Sequence, residues 1–146
     1  MNITDYFAVE PIIVKHIAES MPELLEVNTP FTVDDMLQNS NVTPSVSVIY
    51  HDDRMGTSSS NGKVTTQYQQ WLIVLCVRDP KAQSGHTNSI REYANPFILQ
   101  LLDCMQGFAP NLDAYRSFKR VDSPVGVGRD VGFGYFPFLF EVQMFI

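Results

Sequence analysis

At 146 residues the chain has the length of one domain and enough material for a working core. A hydrophobic fraction of 45% excludes intrinsic disorder, and a formal net charge of −6 disfavours a broad phosphate-neutralising surface, so no nucleic-acid contact is expected. No apolar stretch nears the ~20 residues of a membrane span, and two cysteines, Cys76 and Cys104, are too few for a disulfide scaffold.

The N-terminus, Met1-Asn2-Ile3-Thr4-Asp5, lacks the basic start and small-residue cleavage site of a signal peptide, so a cytosolic setting is expected. A first element opens near Thr4 or Asp5, and Pro11, comfortable at a helix start, predicts a helix from about Pro11 to Met21. Ile13, Ile17 and Met21 fall four residues apart, with Val14 and Ala18 beside them, which makes one apolar stripe. Leu24 to Val27 reads as a short strand. Thr32-Val33-Asp34-Asp35 has the form of a capping box and predicts a brief helical turn.

A hairpin follows. Ser45 to Tyr50 alternates, with Val46, Val48 and Tyr50 on one side. Gln67 to Arg78 is the return strand: Trp71, Ile73, Leu75 and Val77 face one way, and Leu72, Val74 and Cys76 face the other. Apolar side chains on both faces mark a central strand covered on both sides. Between the two strands, His51 to Thr66 is polar and rich in Gly, Ser and Thr, which predicts a mobile projecting arm over 52–66.

A polar linker from Pro80 to His86 leads to the main helix, with Thr87 or Asn88 as its N-cap. Ile90, Ala94, Phe97, Ile98, Leu101, Leu102 and Met105 recur at spacings of three and four, and Gly107 is the expected stop. Pro96 predicts a kink, or a break that starts a second helix. Phe118 to Val121 is a short strand, and Asp122 to Gly134 is a glycine-rich connection. In the terminal run, Phe136, Phe138, Phe140, Val142, Met144 and Ile146 share one face, while Tyr135, Pro137, Leu139, Glu141, Gln143 and Phe145 share the other.

Catalytic signatures are sparse. His16, His51 and His86 are scattered and show no ligand spacing, so no metal site is expected. His51-Asp52-Asp53 reads as a solvated turn, since neighbouring strand residues point apart, and Asp34-Asp35 suits the positive end of a helix. Gly126-Val127-Gly128-Arg129-Asp130 lacks the Gly-Lys-Ser/Thr of a phosphate loop and leads into a strand. Cys104 has no identifiable base, and both cysteines read as reduced thiols among apolar neighbours. Arg116, Lys119 and Arg120 gather around Phe118, a pattern of subunit contact or of a solvated strand face. No catalytic, cofactor-binding or metal-binding residue is predicted.

One resemblance is carried by the order of these features. It rests on the return strand Gln69-Gln70-Trp71-Leu72-Ile73-Val74-Leu75-Cys76-Val77, the long helix with Ile98, Leu101, Leu102 and Gly107, and the terminal Asp130-x-Gly132-x-x-Tyr135-Phe136-Pro137-Phe138-x-Phe140-Glu141. The chain resembles the phage tail terminator (tail completion) proteins, in particular the group encoded in Mu-like and related prophages. The resemblance implies a single α+β domain over 1–146: a mixed, mostly antiparallel sheet with an N-terminal helix and one long helix packed on it. It further implies a non-enzymatic hexameric ring that caps the tail tube, stops its growth and offers a surface to the head connector, without a cofactor. Such a protein assembles in the host bacterial cytoplasm and ends in the virion tail. The arm is then the expected contact surface for the tube or a neighbouring subunit, with Asp53, Arg54, Met55 and Lys63 as its contacts. Two readings stay beside this one: another head–tail connector or tube-like subunit, and a small cytosolic ligand-binding domain or enzyme.

Overall fold

A computed structural model describes residues 3–39, 42–78, 88–130 and 132–146. In chain order the elements are α1 (Val9–Ser20), β1 (Glu26–Asn28), α2 (Val33–Asn39), β2 (Ser45–Ser58), β3 (Thr65–Arg78), α3 (Asn88–Met105), β4 (Tyr115–Val121), β5 (Gly128–Asp130) and β6 (Phe133–Phe145). The six strands form one sheet of order β1-β2-β3-β6-β4, with β5 pairing the start of β6. β1 runs parallel to β2, and every other pair is antiparallel. The fold is therefore α+β with a mixed, mostly antiparallel sheet, as expected.

β3 and β6 form the centre, in register from Thr66↔Phe145 to Arg78↔Phe133. Their alternating side chains feed two cores. On one face Trp71, Ile73, Leu75 and Val77 join Phe136, Phe138, Phe140 and Val142 beneath α1 and α3. On the other, Leu72, Val74, Cys76 and Leu139 pack with Met36 of α2 and with Val121 and Val125. A terminal strand buried on both faces can only be a central one.

The helices obey their sequence signals, with shifted edges. α1 buries Val9, Ile13 and Ile17, one stripe at i, i+4 and i+8. It begins two residues before Pro11. Pro11 still lies in the first turn, where its missing N–H has no intrahelical partner to lose. The Thr32 hydroxyl accepts the Asp35 N–H at 3.1 Å, and α2 extends this cap to Asn39. α3 runs through Pro96 as one element and stops before Gly107, whose φ of 79° is a left-handed C-terminal conformation. The linker Pro80–His86 and the cap candidate Thr87 lie outside the described residues.

Several strand boundaries differ from expectation: β1 is Glu26–Asn28 rather than Leu24 to Val27, and β4 starts at Tyr115 rather than Phe118. β2 continues past Tyr50 to Ser58, and β3 starts at Thr65, because backbone pairing carries the hairpin through residues with nothing to bury. The glycine-rich connection also contains β5, which pairs Gly128↔Tyr135. Glycine is required there for space: a Cβ on Gly128 would run into the Tyr135 ring, and one on Gly134 would approach Ile90 Cγ2 of α3 to 2.7 Å.

Phe140 is fully buried at the centre of this arrangement. Phe140→Ala should lower unfolding free energy by about 3–5 kcal/mol, while Leu99→Ala, on the exposed side of α3, should stay within ~0.5 kcal/mol. Urea denaturation of the two variants checks this, and equal losses would place Phe140 outside the core.

Candidate functional site

The hairpin formed by β2 and β3 carries regular structure out of the core. Every residue from His51 to Val64 is exposed. Tyr50 pairs with Trp71 but Asp52 pairs with Gln70, so His51 is an extra residue, a β-bulge. The bulge reverses the facing of the residues that follow it up to Met55, before a second register shift between Met55 and Ser58. Val46, Val48 and Tyr50 point to the helix-covered face, whereas Arg54, also even-numbered, points to the opposite one.

Asp53, Arg54 and Met55 follow one another on β2, opposite Gln69, Tyr68 and Gln67. Lys63 lies apart from them at the hairpin turn, where its N–H donates to Asn61 Oδ1 at 3.0 Å. Met55 is 56% exposed. Asp53 Oδ2 accepts the Tyr6 hydroxyl at 3.2 Å. Arg54 is committed within the chain: its Nε and a terminal nitrogen donate to the two Glu141 oxygens at 3.0 and 2.9 Å, and its guanidinium stacks 4.1 Å over the Tyr68 ring. Gln70 adds a third donor to Glu141 at 2.8 Å.

The base of the arm is thus gripped from both faces. On the helix-covered face, Tyr6 accepts from Gln67 at 2.9 Å through its hydroxyl and from Gln69 at 2.6 Å through its carbonyl. Its ring, with Phe7, Tyr50 and Trp71, makes an edge-to-face aromatic cluster. On the opposite face the grip is the Arg54–Glu141–Gln70 group. Neither Tyr6 nor Glu141 was legible as a partner of the arm, because both pairings span more than forty residues and the bulge hides the face of Arg54. The one available signal was a lone carboxylate inside the apolar terminal strand.

Beside this grip lies an open groove of about 1010 Å³, bordered by Arg54, Tyr68, Arg116, Lys119, Glu141 and Gln143. Its chemistry is that of a polar contact surface. The Arg54 hydrogen bonds hold the Glu141 carboxyl below the usual carboxylate range, against the upward push of burial and with help from Gln70. Burial pushes the Cys104 thiol up to about 11, which leaves little thiolate at neutral pH. His16 stacks flat on Phe108 at 3.7 Å, and its Nε2 is 2.7 Å from the Cys104 carbonyl oxygen, so this ring serves packing. His51 sits in the bulge, and His86 lies outside the described residues. Among the described residues no group of three or more His, Cys, Asp or Glu side chains is arranged around a metal ion, and no helix is long and apolar enough to cross a membrane.

Because folding depresses the Glu141 pKa, its contribution is complete above the unfolded carboxylate value of about 4.3 and is lost as pH falls through the folded value. Arg54→Met should therefore destabilise the protein at pH 7, with the deficit shrinking below about pH 4. Denaturant midpoints at pH 7 and pH 3 test this, and a deficit equal at both would show that the ion pair is not its source.

No curated protein matches the chain. The family described as Phage tail terminator protein matches residues 2–146, which takes in every helix and strand described above. Family membership brings a structural role in tail assembly and contact with other tail components. On a match that spans the sheet, its helices and the projecting hairpin, this chain belongs to the phage tail terminator protein family.

Proposed function

We propose that this protein forms a ring, with six copies as the expected number, that caps the tail tube at full length, blocks further tube subunits and offers its other surface to a head connector. The whole chain acts as a single domain in this role, without cofactor or catalysis. It assembles in the cytoplasm of the host and remains in the virion tail. The observation that carries the reading is the exposed hairpin on a chain of this family. A paired ribbon whose side chains have no core to fill is free to present them to a partner.

The arm docks on the tube or on a neighbouring subunit, and Asp53, Arg54, Met55 and Lys63 are its contacts. The four do not act alike. Met55 and Lys63 offer apolar area and positive charge outward, whereas Arg54 already serves Glu141 and contributes its stem and stacked edge. The tip orders on contact, in the manner of segments that gain structure when bound.

Deleting Gly56–Gly62 shortens the ribbon beyond the gripped base. The expected result is a folded protein, with the wild-type oligomeric mass, that no longer sets tail length. Electron microscopy of tails assembled with this variant reads the outcome, and tails of normal length would remove the arm from the docking step.

A further inference from the structure

The charges of this chain are segregated along its length. Residues 1–53 carry nine acidic side chains and one basic, whereas residues 54–146 carry seven acidic and nine basic. The topology converts this into a difference between the two edges of the sheet. Residues 1–53 build α1, β1, α2 and the first part of β2, so the acidic third of the chain gathers at the β1–β2 edge. The far edge is β4, which exposes Arg116, Lys119 and Arg120.

The charges at both edges are available. Lys15–Glu19 and Arg54–Glu141 are ion pairs among the described residues, and none of the described residues places a carboxylate within ion-pair distance of the three β4 cations. Arg116 and Arg120 rest over the rings of Phe145 and Phe138, at 5.5 and 4.9 Å, which positions their guanidinium groups without neutralising them. At the other edge, among the described residues, the Asp52 carboxylate accepts the neighbouring Asp53 N–H, and Asp53 accepts the Tyr6 hydroxyl.

The two sets also stand at one height. Asp52 pairs with Gln70, Gln70 with Glu141, and Glu141 with Lys119, in a straight row across four strands. Closed rotational symmetry permits no net rise between successive subunits. Rotation about an axis along the strands therefore brings Lys119 of one copy level with Asp52 of the next. At the middle of β4 the backbone is not free to extend the sheet, because the Phe118 N–H donates to the Phe108 carbonyl at 2.8 Å and its own carbonyl accepts from Gly107 at 3.0 Å. The contact at that point must be made by side chains.

We infer that the β4 edge, with Arg116, Lys119 and Arg120 beside the groove, receives the acidic β2 edge, with Asp52 and Asp53, of a second copy of this chain. The contact is head to tail, so each subunit gives one edge and takes the other, and the row closes into a ring. Opposite charges set both orientation and register, and like edges repel, which disfavours two-fold pairing. The inference rests on the ring reading above and names the surfaces that build the ring.

The test is the mass of full-length protein by light scattering across a dilution series at low and high salt. Wild-type protein should assemble, and assembly should weaken as salt screens the edges. Lys119→Glu with Arg120→Glu, and separately Asp52→Lys with Asp53→Lys, should each raise the concentration needed for assembly by about tenfold or more. The chain carrying all four substitutions should recover wild-type assembly, which also shows that the reversed chains fold. Wild-type assembly that neither reversal disturbs, or a fourfold variant that stays dissociated, overturns the edge pairing and leaves the ring standing. A wild-type protein that remains monomeric at every concentration overturns the ring and the pairing together.

Discussion

The pairing of β3 with β6 is the constraint on which the rest of the molecule depends. Both strands are apolar on both faces over their central residues, and their antiparallel register aligns Trp71 with Phe140 and Leu72 with Leu139. A ribbon of that kind cannot stand in water on either side. It forces α1 and α3 onto one face, and α2 with the chain around Val121 and Val125 onto the other. The partners β3 and β6 are separated in sequence by α3, β4 and β5, which makes the topology strongly non-local.

Outside that centre the sheet changes character. Toward the hairpin the central strands carry Gln67, Tyr68, Gln69 and Gln70 against Glu141 and Gln143, side chains that need hydrogen-bond partners once covered. The Tyr6 strap and the Arg54–Glu141–Gln70 group supply them. The single inserted residue at His51 makes this possible, since without it Arg54 would face the helices and Glu141 would lose its cation. Core, gripped base and free tip therefore follow one another along the same two strands.

This gradation suits a protein of the tail terminator family. An assembly component needs a body rigid enough to hold its contact surfaces at fixed angles, and surfaces whose chemistry is readable by a partner. The buried double core provides the first. In the reading proposed above, the exposed ribbon, the polar groove and the separation of charge between the two sheet edges provide the second.

The sequence by itself determined the elements and their faces. Period-two alternation in Trp71–Val77 and Phe136–Met144, and the spacing of Ile13, Ile17, Leu101 and Met105, are local patterns set by backbone geometry, so they read without knowledge of neighbours. It also determined the family, through the order of those patterns, and the exposure of the hairpin, through its lack of anything to bury. Only the tertiary structure decided the strand order, the pairing of β5, the extension of the hairpin ladder to Ser58 and Thr65, and the partners of Arg54 and Asp53. Each of these depends on contacts between residues far apart in the chain. In the case of Arg54, one bulged residue reverses the face that alternation assigns, and a parity change of that kind is visible only once two strands lie side by side.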